Sequence, residues 1–218
     1  MIRPARAVRR VGAIALGCAA LGFGCSGEKA PNATPEPDTM ELPHFKYHPD
    51  PIATGSIVKS DATCIVCERA RGYIYAAGCY SLEEYEECIC PWCIADGSAA
   101  DKLDATFFDE SGVGFEAGSV PPDLVHLIAT QTPGFSGWQQ ERWWGHCNQP
   151  AAFIGHAGEA ELVAAGPEAL QVIRDNTGIE DDGQWADFLS ALDADGSPTA
   201  YLFRCVECGK LGGYQDCH

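Results

Sequence analysis

The chain has 218 residues, 46% of them hydrophobic, with 14 basic against 31 acidic residues and a formal charge of −17. That is enough apolar sequence to bury a core in one domain, or in one domain plus a small metal-held module. Such acidity excludes nucleic acid and bare anionic membrane surfaces as partners and favours basic ones, although a diffuse acidic surface also serves solubility alone.

The basic residues are unevenly placed. Arg3, Arg6, Arg9 and Arg10 precede Cys25 in a stretch without acids, so the remainder carries 10 basic against 31 acidic residues. Residues 1–25 read as a secretory signal: a basic start, an apolar run from Val11 to Phe23, then small residues and a cysteine at the expected cleavage point. The run is too short to span a bilayer. Cys25 makes it a bacterial lipoprotein-type signal, with that cysteine acylated and the membrane reached only through the lipid. Residues 26–39, with Pro31, Pro35 and Pro37, form a flexible tether. Asn32-Ala33-Thr34 matches a glycosylation sequon by chance. A start at Met40 would instead give a cytoplasmic protein; the lipoprotein start gives a cell-envelope one.

Residues 42–51 are extended by their prolines, and His44 and His48 read as ordinary surface or packing histidines. The strongest signal follows. Cys64-Ile65-Val66-Cys67 and Cys90-Pro91-Trp92-Cys93 are separated by 22 residues. Each two-residue gap lets two thiolates face one side of a tight turn, and two such turns supply a structural zinc with four ligands at about 2.3 Å. Arg71–Ala76 between them reads as a β segment, Gly78 as a turn and Glu83–Glu87 as a solvated helix face. Ser98 reads as the N-cap of a helix over Ala99–Asp104. The expected outline is knuckle, hairpin, second knuckle, helix: a treble-clef or ribbon-like unit. A redox dithiol at Cys90 and Cys93, or disulfides, are the competing uses of the same cysteines. Cys79 and Cys88 fit neither pair and read as a disulfide or as buried thiols.

Pro121-Pro122-Asp123 caps a helix through Leu124–Ile128, and Ser136–Gly145 is expected to form a helix rich in Trp138, Trp143 and Trp144. Those tryptophans read as core before interface. Cys205-Val206-Glu207-Cys208 is a third C-x-x-C, set in a strand-turn-strand run from Ala200 to Tyr214. With Cys147 it offers three ligands of a second metal site, the fourth coming from His146, Cys217 or His218; an incomplete set would leave an open water position, as in a hydrolase. Glu159–Ile173 and Asp182–Leu192 have helical periodicity, with Asp182 as the N-cap of the latter. Asp193-Ala194-Asp195-Gly196 resembles a calcium loop, but Ala191 and Leu202 stand where acidic ligands are needed, so it is a turn. No nucleophile elbow, zincin motif or phosphate loop occurs.

Several strings carry a resemblance: Phe45–Gly55, Ala70–Tyr75, Cys90–Ala100, Thr132–Trp143 and Gly196–Cys205. Across residues 40–218 the chain resembles the CbrC-like family, bacterial proteins named for tolerance to a nuclease colicin and without a settled biochemical activity. The resemblance implies one domain over 40–218 and a C-x-x-x-C where this chain has Cys147 and Ala151. The expected architecture is α+β: a small zinc module, a mainly helical body and a C-terminal β-hairpin carrying the third C-x-x-C. The expected role is non-enzymatic. It is a zinc-binding acidic protein that recognises a protein partner, in the sharpest version a basic nuclease-type toxin.

Overall fold

The structure, a computed structural model, describes residues 41–115 and 120–218. The signal, the tether, Cys25 and Met40 lie outside the described residues. The remainder is a mixed α+β fold with six helices and three small sheets among the described residues. None of these helices is long and apolar enough to cross a membrane.

The N-terminal part is built from very short elements. Strands β1 (Ile57–Lys59) and β2 (Tyr73–Tyr75) pair antiparallel, with Val58 opposite Ile74. The Cys64–Cys67 turn therefore lies inside the β1–β2 connection, whereas the sequence suggested a hairpin after it. Helices α1 (Pro91–Ala95) and α2 (Ser98–Leu103) follow. Gly97, with φ +78°, occupies the cap position expected of Ser98, because the Asp96 carboxylate already accepts from the Ser98 N–H at 2.9 Å. Ile57, Ile74, Ile89, Ile94 and Phe107 close a core around Cys64, Cys90 and Cys93.

The C-terminal part is a three-stranded antiparallel meander with β7 at its centre: β6 (Ala152–Ala157), β7 (Thr199–Arg204) and β8 (Leu211–Asp216). Alternation along β7 divides its side chains between two cores. Tyr201 and Phe203 join Phe135, Trp143, Phe153 and Tyr214 in an aromatic cluster; Ala200 and Leu202 face Leu162, Ala169, Ile173 and Leu192. These last residues come from α4 (Glu159–Ala165), α5 (Pro167–Thr177) and the end of α6 (Asp182–Ala191). Gly212 and Gly213 on β8 permit both contacts. A Cβ on Gly212 would lie 2.1 Å from the Trp144 ring, and one on Gly213 would meet the Tyr201 carbonyl at 2.4 Å.

Several expected elements differ. The single helix over Glu159–Ile173 is two, because Pro167 lacks an N–H and follows Gly166 at φ +98°. Asp181, not Asp182, caps α6 by accepting from the Gln184 N–H at 2.9 Å, which frees Asp182 to pair with Arg174 at 2.8 Å. Glu83–Glu87 is solvated but not helical; its four glutamates leave too little apolar surface to dock a helix. The helix expected over Ser136–Gly145 is a loop followed by strand β4 (Trp143–His146), with β5 (Gln149–Pro150) antiparallel to it. The body thus holds more strand than expected, although helix still outweighs it. Gly134 explains part of this, since a Cβ there would lie 2.1 Å from the Phe107 carbonyl and the chain passes too close to coil. Strand geometry also buries adjacent Trp143 and Trp144 together, as core residues, while Trp138 stays 44% exposed. Helix α3 (Pro122–Gln131) and strand β3 (Val113–Phe115), which runs parallel to β4, complete the packing.

His48 is fully buried against Trp143 and Phe153. Its Nδ1 lies 2.7 Å from the Pro133 carbonyl, so that nitrogen carries the proton, and Nε2 accepts from Thr54 Oγ1 at 2.7 Å. Burial pushes this imidazole down to about 4 from its usual value of 6.5. Above pH 6.5 folded and unfolded states are both neutral here; below it only the unfolded chain takes the proton. Stability should therefore fall by about 3 kcal/mol from this group as pH drops from 6.5 toward 4. Urea unfolding of His48→Asn, which keeps a donor toward Pro133, should show a pH slope flatter than the native chain by that amount.

Candidate metal centres

Two groups of side chains converge among the described residues: Cys64, Cys67, Cys90 and Cys93, and His146, Cys147, Cys205 and Cys208. Within each, all donor atoms lie within 4.8 Å of one another, so each group could hold a metal ion. None of the ten described cysteines is in a disulfide.

The same backbone turn presents the outer pair of donors in each group. The Cys64 N–H donates to the Arg69 carbonyl at 2.9 Å and the Glu68 N–H to the Cys64 carbonyl at 2.8 Å. In the third C-x-x-C the Cys205 N–H donates to Lys210 at 2.8 Å and the Gly209 N–H to Cys205 at 3.0 Å. Both turns need a left-handed residue directly after the second cysteine. Gly209 supplies it at φ +77°; Glu68 adopts it at φ +57° against its preference. Lys102 Nζ donates to the Val66 carbonyl at 3.0 Å, placing a cation beside the first turn.

The partners of these turns differ. Cys90 is the N-cap of α1 and Cys93 lies in its first turn, where Pro91 costs nothing because that N–H has no helical partner. The Cys90 N–H also donates to Cys64 Sγ at 3.3 Å. At the second centre Cys147 and Asn148 form the two-residue link between β4 and β5, both with positive φ, +53° and +57°. That is a type I′ hairpin turn, which asparagine favours.

Spacing fits tetrahedral coordination. Four sulfurs about 2.3 Å from a metal have edges of about 3.8 Å. Cys64 and Cys93 Sγ are 3.9 Å apart, Cys67 and Cys90 Sγ 3.8 Å. At the second centre Cys147 and Cys208 Sγ are 3.9 Å apart, and His146 Nδ1 lies 3.2 and 3.4 Å from them. His146 stacks on Trp144 with ring centroids 5.5 Å apart, which sets its orientation. Of the three candidates for the fourth ligand, His146 joins the group; Cys217 and His218 do not, and neither do Cys79 or Cys88.

Burial separates the centres. Cys64, Cys90 and Cys93 are essentially inaccessible, whereas Cys147 and Cys208 are exposed and only Cys205 is buried. Electrostatics follow the packing. The Cys90 thiol and nearby backbone N–H groups hold Cys64 down to about 4, and Cys90 is driven up because it keeps the shared proton. Burial pushes Cys93 up to about 11. Burial also pushes Cys205 up, but the Cys208 and Glu207 N–H groups outweigh it and bring that thiol down to about 6. A dication between the sulfurs would release the remaining protons and remove the repulsion among thiolates.

Residues 42–217 match the model of an uncharacterised protein family, UPF0167. UPF0167 proteins of Mycobacterium bovis and Mycobacterium tuberculosis are each 46% identical over 182 residues, covering 81% of this chain and 94% of theirs. One from Pseudomonas aeruginosa is 43% identical over 171 residues, covering 78% of this chain and 93% of its own. No solved structure matches the chain significantly.

Glu68→Gly should stabilise the metal-replete protein by about 1 kcal/mol, since glycine removes left-handed strain at a modest cost in chain entropy; thermal unfolding reads this directly. Cys93→Ser should cost about 3–5 kcal/mol, because it leaves buried thiolates incompletely compensated. Cys208→Ser, at an exposed position, should lose one metal equivalent while near-ultraviolet circular dichroism stays native.

Proposed function

The chain belongs to the uncharacterised UPF0167 family, and we propose that it is a non-enzymatic zinc protein whose two metal centres hold an acidic surface in shape for binding a basic protein partner. The observation that carries the reading is the pair of four-donor sets at tetrahedral edge lengths. Thiolate-rich sets with one imidazole at most select zinc over magnesium, calcium or manganese. The first is a four-thiolate structural site; the second takes three thiolates and His146 Nδ1. With His146 in place the second set offers four protein donors, so the open water position that a hydrolase would need is filled. The thiols of Cys90 and Cys93 are assigned to the metal rather than to disulfide exchange.

The basic partner is supported by charge, 10 basic against 31 acidic residues after Cys25, and by the resemblance to colicin-tolerance proteins. Complementary charge speeds encounter more than it raises affinity. A basic nuclease-type toxin is the sharpest version. Acylation of Cys25 would place the domain, residues 40–218, at the cell envelope on the tether of residues 26–39.

Native mass spectrometry should find two zinc ions per chain. Cobalt replacement should give the charge-transfer bands of two thiolate-rich tetrahedral centres, and one centre should yield to a chelator well before the other, in the order of their exposure. A single retained zinc, or none, would refute the two-centre reading. For a basic toxin, the association rate constant should fall at least tenfold between about 20 and 200 mM salt; a flat response would remove the electrostatic partner.

A further inference from the structure

Between the N-terminal core and the aromatic cluster lies a cleft of about 170 Å³, lined by Tyr75, Tyr80, Phe107, Phe108, Phe135 and Glu141. Its size decides its guest. A cavity of about 150 Å³ takes one benzene-sized molecule, while drug-sized ligands need about 300 Å³ or more. Nucleotides and peptides are therefore too large to enter whole.

Its chemistry is one-sided. Glu141 is pinned, with Oε1 accepting from the Gly137 N–H at 3.0 Å and Oε2 from the Tyr80 hydroxyl at 2.8 Å. Gln140 Nε2 donates to the Tyr80 oxygen at 3.0 Å, which fixes the phenol in turn. Burial, then the Glu141 carboxylate, push Tyr80 up to about 12, and burial drives Tyr75 up as well. Both phenols are thus neutral hydroxyls beside one carboxylate. Among the described residues the ion pairs are His126 with Glu110 and Arg174 with Asp182, so Glu141 has no cationic partner. A neighbouring groove shares Ala77 and Gly78 and adds Glu86 and Glu87. The approach is acidic too.

From this geometry we infer that the cleft binds a small organic ammonium ion, with its charge on Glu141 and its alkyl part against the aromatic walls. An ammonium is drawn to the faces of Tyr and Phe as well as to a carboxylate, and partial burial strengthens both attractions. Alkyl carboxylates meet Glu141 as a like charge, and neutral alcohols forgo the Coulomb attraction. No residue lining the site belongs to either group of metal donors, and no protein partner is needed to complete it. A free alkylamine and the lysine side chain of a bound peptide present the same chemistry.

The test uses the full, metal-replete chain, titrated at constant ionic strength with n-butylammonium, n-butyrate and 1-butanol while the aromatic resonances of Tyr75, Tyr80, Phe107 and Phe135 are followed. Saturable shifts with butylammonium, and at least tenfold weaker responses to the other two, are expected. Glu141→Gln should weaken butylammonium binding at least tenfold. Tyr80→Phe keeps the carboxylate and the ring, and should retain the preference for the cation. If Glu141→Gln fails to fold, the selectivity of the native chain and of Tyr80→Phe decides the matter. Equal responses to butylammonium and butanol, or none to either, would overturn the inference. Nα-acetyl-lysine methylamide binding like butylammonium would identify a lysine side chain as the source; binding of butylammonium alone would identify a free amine.

Discussion

Four sulfurs within 4.8 Å of one another in a nearly dry core can all be ionised only with a cation among them, and that constraint bears on the whole N-terminal part of this fold. Its strands are three residues long and its helices five and six. Elements that short do not persist alone: a helix under about 12 residues is marginal in water, and so is a two-stranded hairpin. Cys64, Cys90 and Cys93 belong to the same buried cluster as Ile57, Ile74 and Ile94. Cross-linking the first turn to the start of α1 through one ion would therefore supply what elements this short cannot.

The second centre stands on different ground. The meander of β6, β7 and β8 is buried on both faces of its central strand and has its own aromatic and aliphatic cores. Cys205 and Cys208 extend from the tip of the β7–β8 hairpin, and His146 and Cys147 from that of β4–β5. An ion there would pin two hairpin tips to each other without holding up the sheet. One set of donors is mostly buried and the other mostly open to solvent, so metal binding would have different consequences for folding and for exchange at the two.

Local spacing was the legible part of the sequence. C-x-x-C places two sulfurs on one side of a turn whatever surrounds it, so Cys64, Cys67, Cys90, Cys93, Cys205 and Cys208 could be grouped before any fold was known. The β7–β8 hairpin was visible for the same reason. Residues whose conformation is set from outside were not legible. Trp138, Trp143 and Trp144 suggest a Trp-rich helix, but close passage at Gly134 and pairing with Val113 and Phe115 make that stretch a loop and a strand. His146 was one of three candidates for a single position, because ligation by a residue next to Cys147 depends on a hairpin turn that only Asn148 hints at. The sequence leaves His48 open between surface and packing, since the partners that bury it, Pro133 and Phe153, are about a hundred residues away along the chain. The cleft at Glu141 was equally hidden, assembled from residues of both cores.

X-ray absorption at the zinc edge on protein purified with its metal tests the central claim most directly. Two centres sharing seven sulfurs and one nitrogen predict a dominant sulfur shell at about 2.3 Å and a minor nitrogen shell near 2.0–2.1 Å, with two zinc ions per chain. A spectrum dominated by oxygen or nitrogen, or folded protein without zinc, would contradict it.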